Sequence, residues 1–145
     1  MEFDDLFFMK QALLEAEKAL DKDEVPVGAV IVVNQRIIAR GHNLIENLND
    51  VTAHAEMQAI TSASNFLNGK FLEDCTLYVT LEPCSMCGGA LYWTRIARVV
   101  IGAMDFNRGY SSLGIKLYHR TIVSNGILAD ESQKLLNEFF KKRRK

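Results

Sequence analysis

Long apolar runs are missing from this 145-residue sequence, and no stretch approaches the roughly 20 apolar residues that a membrane-spanning helix needs. Residues 1–5 are acidic and lack the positive charge and small-residue cleavage site of an export signal. Cysteine is scarce as well: there are three, and an odd number without an export signal argues against a disulfide framework. We therefore expect a cytoplasmic protein that makes no contact with a membrane.

Net charge is also small, at −1, but it is unevenly distributed. Residues 1–90 hold 6 basic and 14 acidic side chains, whereas residues 91–145 hold 11 basic and 4 acidic ones and end in a basic run. Such polarity is typical of a protein that presents a positive face to an anionic partner, and nucleic acid is the obvious candidate. The simpler alternative is a solvated tail that complements the C-terminal dipole of the last helix.

Apolar periodicity predicts alternating helices and strands, with no internal repeat or linker. Helices are expected over residues 3–21, 53–66, 85–93 and 130–142. Strands are expected over residues 25–33, 36–41, 75–81, 97–102 and 117–123. The inward sides of the first and last helices are predicted to be formed by Phe7, Ala12, Leu13, Ala16 and Leu20 and by Leu135, Leu136, Phe139 and Phe140.

The order of these elements predicts an α/β fold in one domain over residues 1–145. A short turn at Asn34 and Gln35 predicts an antiparallel hairpin of the first two strands. Helices between the later strands predict parallel crossovers. We therefore expect a three-layer α/β/α sandwich whose mixed sheet has about five strands.

Two cysteines, Cys84 and Cys87, follow the third strand directly after Pro83, which suits the first turn of a helix. Alone, such a pair occurs in redox proteins, structural zinc sites and catalytic zinc sites. His54 lies near the start of another helix, so two helix starts can aim three ligands at one point. One histidine and two cysteines suit zinc, and three protein ligands leave its fourth position for a water that becomes hydroxide at neutral pH.

Cys75 is the alternative fourth ligand, which would make the site closed and structural. It lies six steps from Leu81 along the predicted strand, or roughly 20 Å at ~3.3 Å per residue. A zinc–sulfur bond is only ~2.3 Å long, so we expect an open site and a buried, apolar role for Cys75.

Glu56 comes two positions after His54, in the first turn of the same predicted helix. Beside a zinc site, a buried carboxylate can take a proton from water and hand it to a leaving group. By itself, Glu56 would be an ordinary first-turn glutamate that complements the helix dipole. The three ligands nearby favour the catalytic interpretation.

His54-Ala55-Glu56 together with Pro83-Cys84-Ser85-Met86-Cys87 resembles the signature of the zinc-dependent cytidine/adenosine deaminase superfamily. Further stretches at 25–30, 52–56, 76–84 and 126–131 are similar to bacterial tRNA adenosine deaminases, as are the phenylalanine pair at 139–140 and the basic tail. The resemblance extends over nearly the whole chain and implies the cytidine deaminase-like fold.

The resemblance also implies the roles of individual residues. His54, Cys84 and Cys87 would bind one Zn²⁺ per subunit, and Glu56 would be the proton shuttle. Asn43 matches an asparagine that hydrogen-bonds the target base, and the pocket around it would be lined by Pro26, Val27, Ala55 and Pro83. The implied reaction is hydrolysis of adenosine to inosine at the wobble position of a tRNA anticodon, by a homodimer that binds the anticodon arm.

One segment departs from the family pattern. Between residues 108 and 126 the better-known members carry a somewhat longer segment with an Asn-His-Arg near its end, of which His119 and Arg120 resemble a remnant. Because that segment helps hold RNA in the family, its change weakens the tRNA expectation and leaves the deaminase expectation intact. Two alternatives stay open: a deaminase of free nucleobases or nucleosides such as guanine or cytosine, and a zinc-stabilised binding module without catalysis.

Overall fold

The computed structural model describes residues 2–143, and within them helices and strands alternate largely as predicted. The helices are α1 (Asp5–Asp21), α2 (Ala55–Leu67), α3 (Ser85–Thr94) and α4 (Ala129–Arg143). The strands are β1 (Gly28–Val33), β2 (Arg36–His42), β3 (Thr76–Leu81), β4 (Arg98–Ala103) and β5 (Ile122–Asn125).

The five strands form one mixed sheet in the order β2-β1-β3-β4-β5. Strand β1 runs antiparallel to β2 and β3, whereas β3, β4 and β5 run parallel to one another. Asn34 and Gln35 connect β1 to β2 with φ angles of 49° and 66°. Positive φ at both central residues matches the right-handed twist of a hairpin, and asparagine tolerates it better than most residues. The predicted mixed sheet and hairpin are confirmed.

Apolar side chains cover both faces of the three central strands, and each face carries a helical layer. Helix α1 packs on one face, where α4 also lies, and the buried cluster there contains Phe8, Met9, Ala12, Val30, Val32, Tyr78 and Val100. Helices α2 and α3 cover the other face, and their buried cluster includes Ala59, Leu91, Ile31, Leu77, Val79, Val99 and Ile101. Each large side chain buried in this way contributes roughly 1.5–3 kcal/mol. The predicted α/β/α sandwich is confirmed.

Two glycines let helices approach the sheet closely at β1 and β2. A Cβ atom at Gly28 would lie 2.1 Å from the backbone oxygen of Ala12 in α1. A Cβ atom at Gly41 would lie 2.4 Å from the backbone oxygen of Ala55 at the start of α2. Contacts this short leave no room for any side chain, so these glycines fix how deeply α1 and α2 sit.

The structure corrects three details of the prediction. The buried side of α1 is turned by about one residue and includes Met9, Glu15 and Ala19. In α4, Leu136 is buried but Phe140 is partly exposed, at 44%. The last strand begins at Ile122, because the preceding residues form a turn in which the ring of Tyr118 packs on His119 and lies near the guanidinium of Arg95.

The predicted basic tail lies only partly within the described residues. The last turn of α4 contains Lys141, Lys142 and Arg143, while residues 144–145 lie outside the described range. Within residues 2–143, no helix has both the length and the apolarity required to cross a membrane.

Candidate active site

Two helix starts meet at the edge of the sheet where β3 ends. His54 is the N-cap residue of α2 and Cys84 is the N-cap residue of α3, and both have extended backbone conformations. Cys87 follows in the first turn of α3. The sequence had predicted Pro83 in the first turn of the helix. The structure instead places it just before the cap residue. Helix N-termini favour negative charge, so this edge suits thiolates.

The three predicted ligands converge. Nδ1 of His54 lies 3.6 Å from Sγ of Cys84 and 3.6 Å from Sγ of Cys87, and all three ligand atoms lie within 4.8 Å of one another. Zinc bonds of ~2.3 Å to sulfur and ~2.1 Å to nitrogen at a tetrahedral angle separate nitrogen from sulfur by about 3.6 Å. The donor set therefore fits zinc in both type and spacing. Cys75 is buried next to the opposite end of β3 and does not belong to the group.

The ionisation of the group also suits a cation. Hydrogen bonds from Cys87 and His54 lower the pKa of the Cys84 thiol to about 3. The pKa of Cys87 is raised because its thiol bonds to the Cys84 sulfur and is buried. The pKa of His54 is raised by its bond to Cys84. Cys84 is thus the first thiolate to form, and a bound cation would displace the remaining protons.

Glu56 is buried beside this group, with only 4% of its surface exposed. Burial raises the pKa of its carboxyl to about 7, and the nearby Cys84 thiolate acts in the same direction. A carboxyl group whose pKa lies near neutral pH can both accept and release a proton there. Glu56 therefore has the environment of a general acid–base residue.

A cavity of about 660 Å³ opens over these residues. His54, Glu56 and Cys84 line it, together with Val27 and Asn43. Its volume lies in the range of small-molecule sites. The other three residues expected at the pocket, Pro26, Ala55 and Pro83, are buried in its surroundings and are not among its lining residues.

Asn43 connects the β2 end of the site to α2. Its Oδ1 accepts a hydrogen bond of 2.8 Å from the backbone N–H of Ala55. That N–H is one of the groups that a helix start leaves without a partner, and the His54 side chain does not cap it. Asn43 thus fixes the helix turn that carries His54 and Glu56 while lining the cavity beside them.

Sequence reasoning missed Glu82, a buried carboxylate between β3 and Cys84. It accepts hydrogen bonds from the backbone N–H groups of Asp105 at 3.0 Å and Ser111 at 3.1 Å, and from the Ser111 hydroxyl. These bonds tie the loop after β4 to the segment that carries the cysteines, and Tyr110 adds a backbone bond to Pro83. Its position between an apolar strand and a proline was the only signal in the sequence.

Glu24 plays a similar part on the other side of the cavity. Its buried carboxylate accepts hydrogen bonds from the backbone N–H groups of Glu46 and Asn47 and from the Asn47 side chain. These bonds hold the polar loop between β2 and α2. Both long loops at the cavity are therefore anchored on buried acids.

Zinc donors at two helix starts, with a buried carboxylate next to them, place the protein among the zinc-dependent hydrolytic enzymes of the α/β/α class. Residues 2–103 match the model of the cytidine and deoxycytidylate deaminase zinc-binding region. The chain belongs to this deaminase family.

Three similar proteins indicate which kinds of deaminase the chain resembles. A tRNA-specific adenosine deaminase of Aquifex aeolicus is 46% identical over 143 residues, covering 95% of each chain. A structure from biochemical and structural studies of A-to-I editing by tRNA:A34 deaminases at the wobble position of transfer RNA has a TM-score of 0.82 and 41% identity, over 90% of this chain and 99% of its own. A guanine deaminase structure from Bacillus subtilis has a TM-score of 0.69 and 38% identity, over 79% and 72%.

Proposed function

We propose that this protein hydrolyses adenosine to inosine at the wobble position of a tRNA anticodon. The observation that carries the proposal is the similarity to tRNA-specific adenosine deaminases along almost the whole chain, and the cluster of His54, Cys84 and Cys87, which could hold a metal ion, supports it. Residues 1–145 would then form one deaminase domain. A cytoplasmic location belongs to the same proposal, because the three cysteines are free thiols and not disulfides.

One zinc ion per chain would be held by His54, Cys84 and Cys87. When bound, zinc supplies a nucleophile at neutral pH by lowering the pKa of water to about 7. The chain's own contribution to holding the ion is preorganisation, since two helix starts fix the three donor atoms at the required spacing. The match of that spacing to zinc supports this assignment.

Glu56 would move the protons. It accepts one from the attacking water and passes it to the amino group on C6, which leaves as ammonia while the oxygen stays on the base. Its burial in the wall of the cavity, next to the three proposed zinc ligands, supports this role. Asn43 would hydrogen-bond the base, Val27 would contact it, and the buried residues Pro26, Ala55 and Pro83 would shape the wall behind.

The test of catalysis is Glu56→Gln, which keeps the side-chain shape but cannot take up a proton. We expect full zinc content with turnover reduced at least about 100-fold, the lower end of the usual contribution of a general base. Inosine formation and metal content are measured on the same samples. A variant as active as the parent would remove Glu56 from the mechanism. A zinc-loaded parent that deaminates neither RNA nor free bases would favour a zinc-stabilised binding module.

Deamination of a free base is the second candidate, and the guanine deaminase relative favours it. One cation at the cavity favours RNA instead. Arg108 lines the cavity, and a guanidinium there can bind a phosphate next to the target base. A free base has no phosphate for this cation to bind.

The experiment that separates the two candidates uses an anticodon-arm RNA with adenosine at the wobble position beside free adenine, guanine and cytosine. We expect inosine in the RNA, with activity that falls steeply as salt rises. The same RNA with guanosine at that position is the control. Activity on free bases alone would refute the tRNA proposal.

We also propose a homodimer that binds the anticodon arm. Exposed aromatic surface at the end of α3 supports a protein contact: Trp93 is largely exposed, Tyr92 is partly exposed, and their rings lie 5.3 Å apart at centroids. Light scattering at micromolar concentration should give twice the 16.3 kDa mass of the chain. A monomer under those conditions would contradict the dimer and leave the reaction untouched.

A further inference from the structure

Phe106 is the most exposed large apolar side chain of the described residues, at 83%. It lies in the loop between β4 and β5 and lines the same cavity as Glu56 and Asn43. A phenylalanine at the mouth of a cavity for a nucleobase offers a flat apolar face to whatever extends beyond that base. Phe106 is therefore placed to contact a part of the substrate that remains outside the cavity.

Hydrogen bonds hold Phe106 outward. Oδ1 of Asp105 accepts from the backbone N–H groups of Asn107 and Arg108, each at 3.0 Å, which closes a tight turn with Phe106 inside it. Glu82 anchors the same turn through the Asp105 N–H. Because the backbone on both sides is fixed, exposure of the ring follows from the structure of the turn.

The ring also lacks an intramolecular partner. In the described part of the chain, Phe106 and Phe66 are the phenylalanines that neither face another aromatic ring nor lie under a cation. Phe66 is 62% exposed, on α2, and does not line the cavity. The chain thus offers two free rings of the same kind, only one of which is at the site.

We propose that Phe106 is a stacking platform for a nucleotide that flanks the target base, a role that rests on the proposed action on RNA. A base must leave its stack to enter the cavity, which frees the faces of its neighbours. Aromatic side chains bind such faces without sequence preference, and a nearby arginine can bind the adjoining phosphate. Arg108, two residues along the same turn and also lining the cavity, supplies that cation.

The proposal is tested with Phe106→Ala, Phe106→Trp and the matched control Phe66→Ala, on an anticodon-arm RNA with wobble adenosine. We expect Phe106→Ala to raise KM by about 5- to 150-fold, the range of one base stacked on a ring, with kcat and zinc content unchanged. Phe106→Trp should stay near the parent, and so should Phe66→Ala. Loss of affinity in Phe106→Trp equal to that in Phe106→Ala would overturn stacking.

Abasic substitutions on either side of the wobble adenosine identify the partner. If a flanking base stacks on Phe106, removing that base weakens the parent but not Phe106→Ala, so the two losses are not additive. Additive losses on both sides would overturn the proposal, as would a change of oligomeric mass in Phe106→Ala that explains its loss of affinity. A parent protein that leaves the RNA unmodified and deaminates free bases would refute the proposed function instead, and is recognised without any Phe106 variant.

Discussion

Replacement of Glu82 by alanine tests whether one buried carboxylate holds the outer wall of the active site. Three hydrogen-bond donors from residues 105 and 111 lose their acceptor in this variant. No Lys, Arg or His nitrogen within residues 2–143 lies within 4.0 Å of the Glu82 carboxylate. The hydrogen bonds from the loop are therefore the main compensation for its buried charge. The change therefore acts on the loop and not on an ion pair.

The magnitude follows from these bonds. A hydrogen bond to a charged group contributes about 1.5–3 kcal/mol, so three could contribute roughly 5–9 kcal/mol. The loop lies at the surface, and its donors can turn to water once the acceptor is gone. We therefore expect the free energy of unfolding to fall by only about 2–4 kcal/mol. Glu82→Gln keeps one acceptor oxygen but turns an NH₂ group towards a donor. Its free energy of unfolding should therefore lie between those of the parent and Glu82→Ala.

Urea unfolding gives the free energy, and hydrogen exchange at the amides of Asp105 and Ser111 locates the effect. Both amides should lose protection while zinc content stays at the parent level, and kcat/KM on RNA should fall because the wall of the cavity is no longer held. Glu73→Ala, an exposed glutamate before β3, is the control. Unchanged protection of both amides, with stability within about 0.5 kcal/mol of the parent, would refute the anchoring role.

Further predictions concern the proposed metal ligands, helix α3 and helix α1. Cys75→Ser should keep zinc and Cys87→Ser should lose it, as measured by metal analysis; equal losses would return Cys75 to the ligand set. Gly88→Ala should destabilise the protein by about 1–3 kcal/mol, because its Cβ would lie 2.7 Å from a tyrosine Cβ, whereas Gly89→Ala, with nothing within 4 Å, should stabilise it by about 0.5–1 kcal/mol in urea titrations. The pKa of Asp5 is lowered from 3.8 by an arginine, so its stabilisation is present above that pH and disappears as pH falls through the lower folded value. The gap in unfolding free energy between the parent and Asp5→Asn should therefore shrink as pH drops below 3.8; a gap that grows would contradict this sign.

The sequence was most informative for site residues that lie close together along the chain. His54 and Glu56 are two residues apart, and Cys84 and Cys87 are three apart, so local geometry limits their arrangement. The convergence of the two segments followed from helices that start at one edge of a sheet. Because Cys75 lies at the far end of β3, the sequence alone was enough to exclude it from the predicted ligand set.

Features that depend on distant partners could not be predicted in this way. The donors to Glu82 lie 23 and 29 residues further along the chain, and no periodicity indicates them. The rotated face of α1 has a similar origin. Glu15 is buried there because Lys18 and Arg40 form ion pairs with its carboxylate and the His42 ring hydrogen-bonds to it, whereas periodicity counts it as a surface residue. The start of β5 was predicted five residues too early because Leu117 and Tyr118 extend the apolar pattern towards the N-terminus, although neither belongs to the strand.

The position of the proposed metal ligands at two helix starts has a consequence for the choice of variants. Cys84 occupies the cap position of α3, where a sulfur is a weaker acceptor than a hydroxyl oxygen. Serine caps helices well, and a cap contributes about 0.5–2 kcal/mol, so Cys84→Ser would stabilise α3 while it removes a proposed zinc donor. The melting temperature of Cys84→Ser would then underestimate the stability that is lost with the metal. Alanine, which does not cap, is the substitution whose thermal shift reports what the metal itself contributes to the fold.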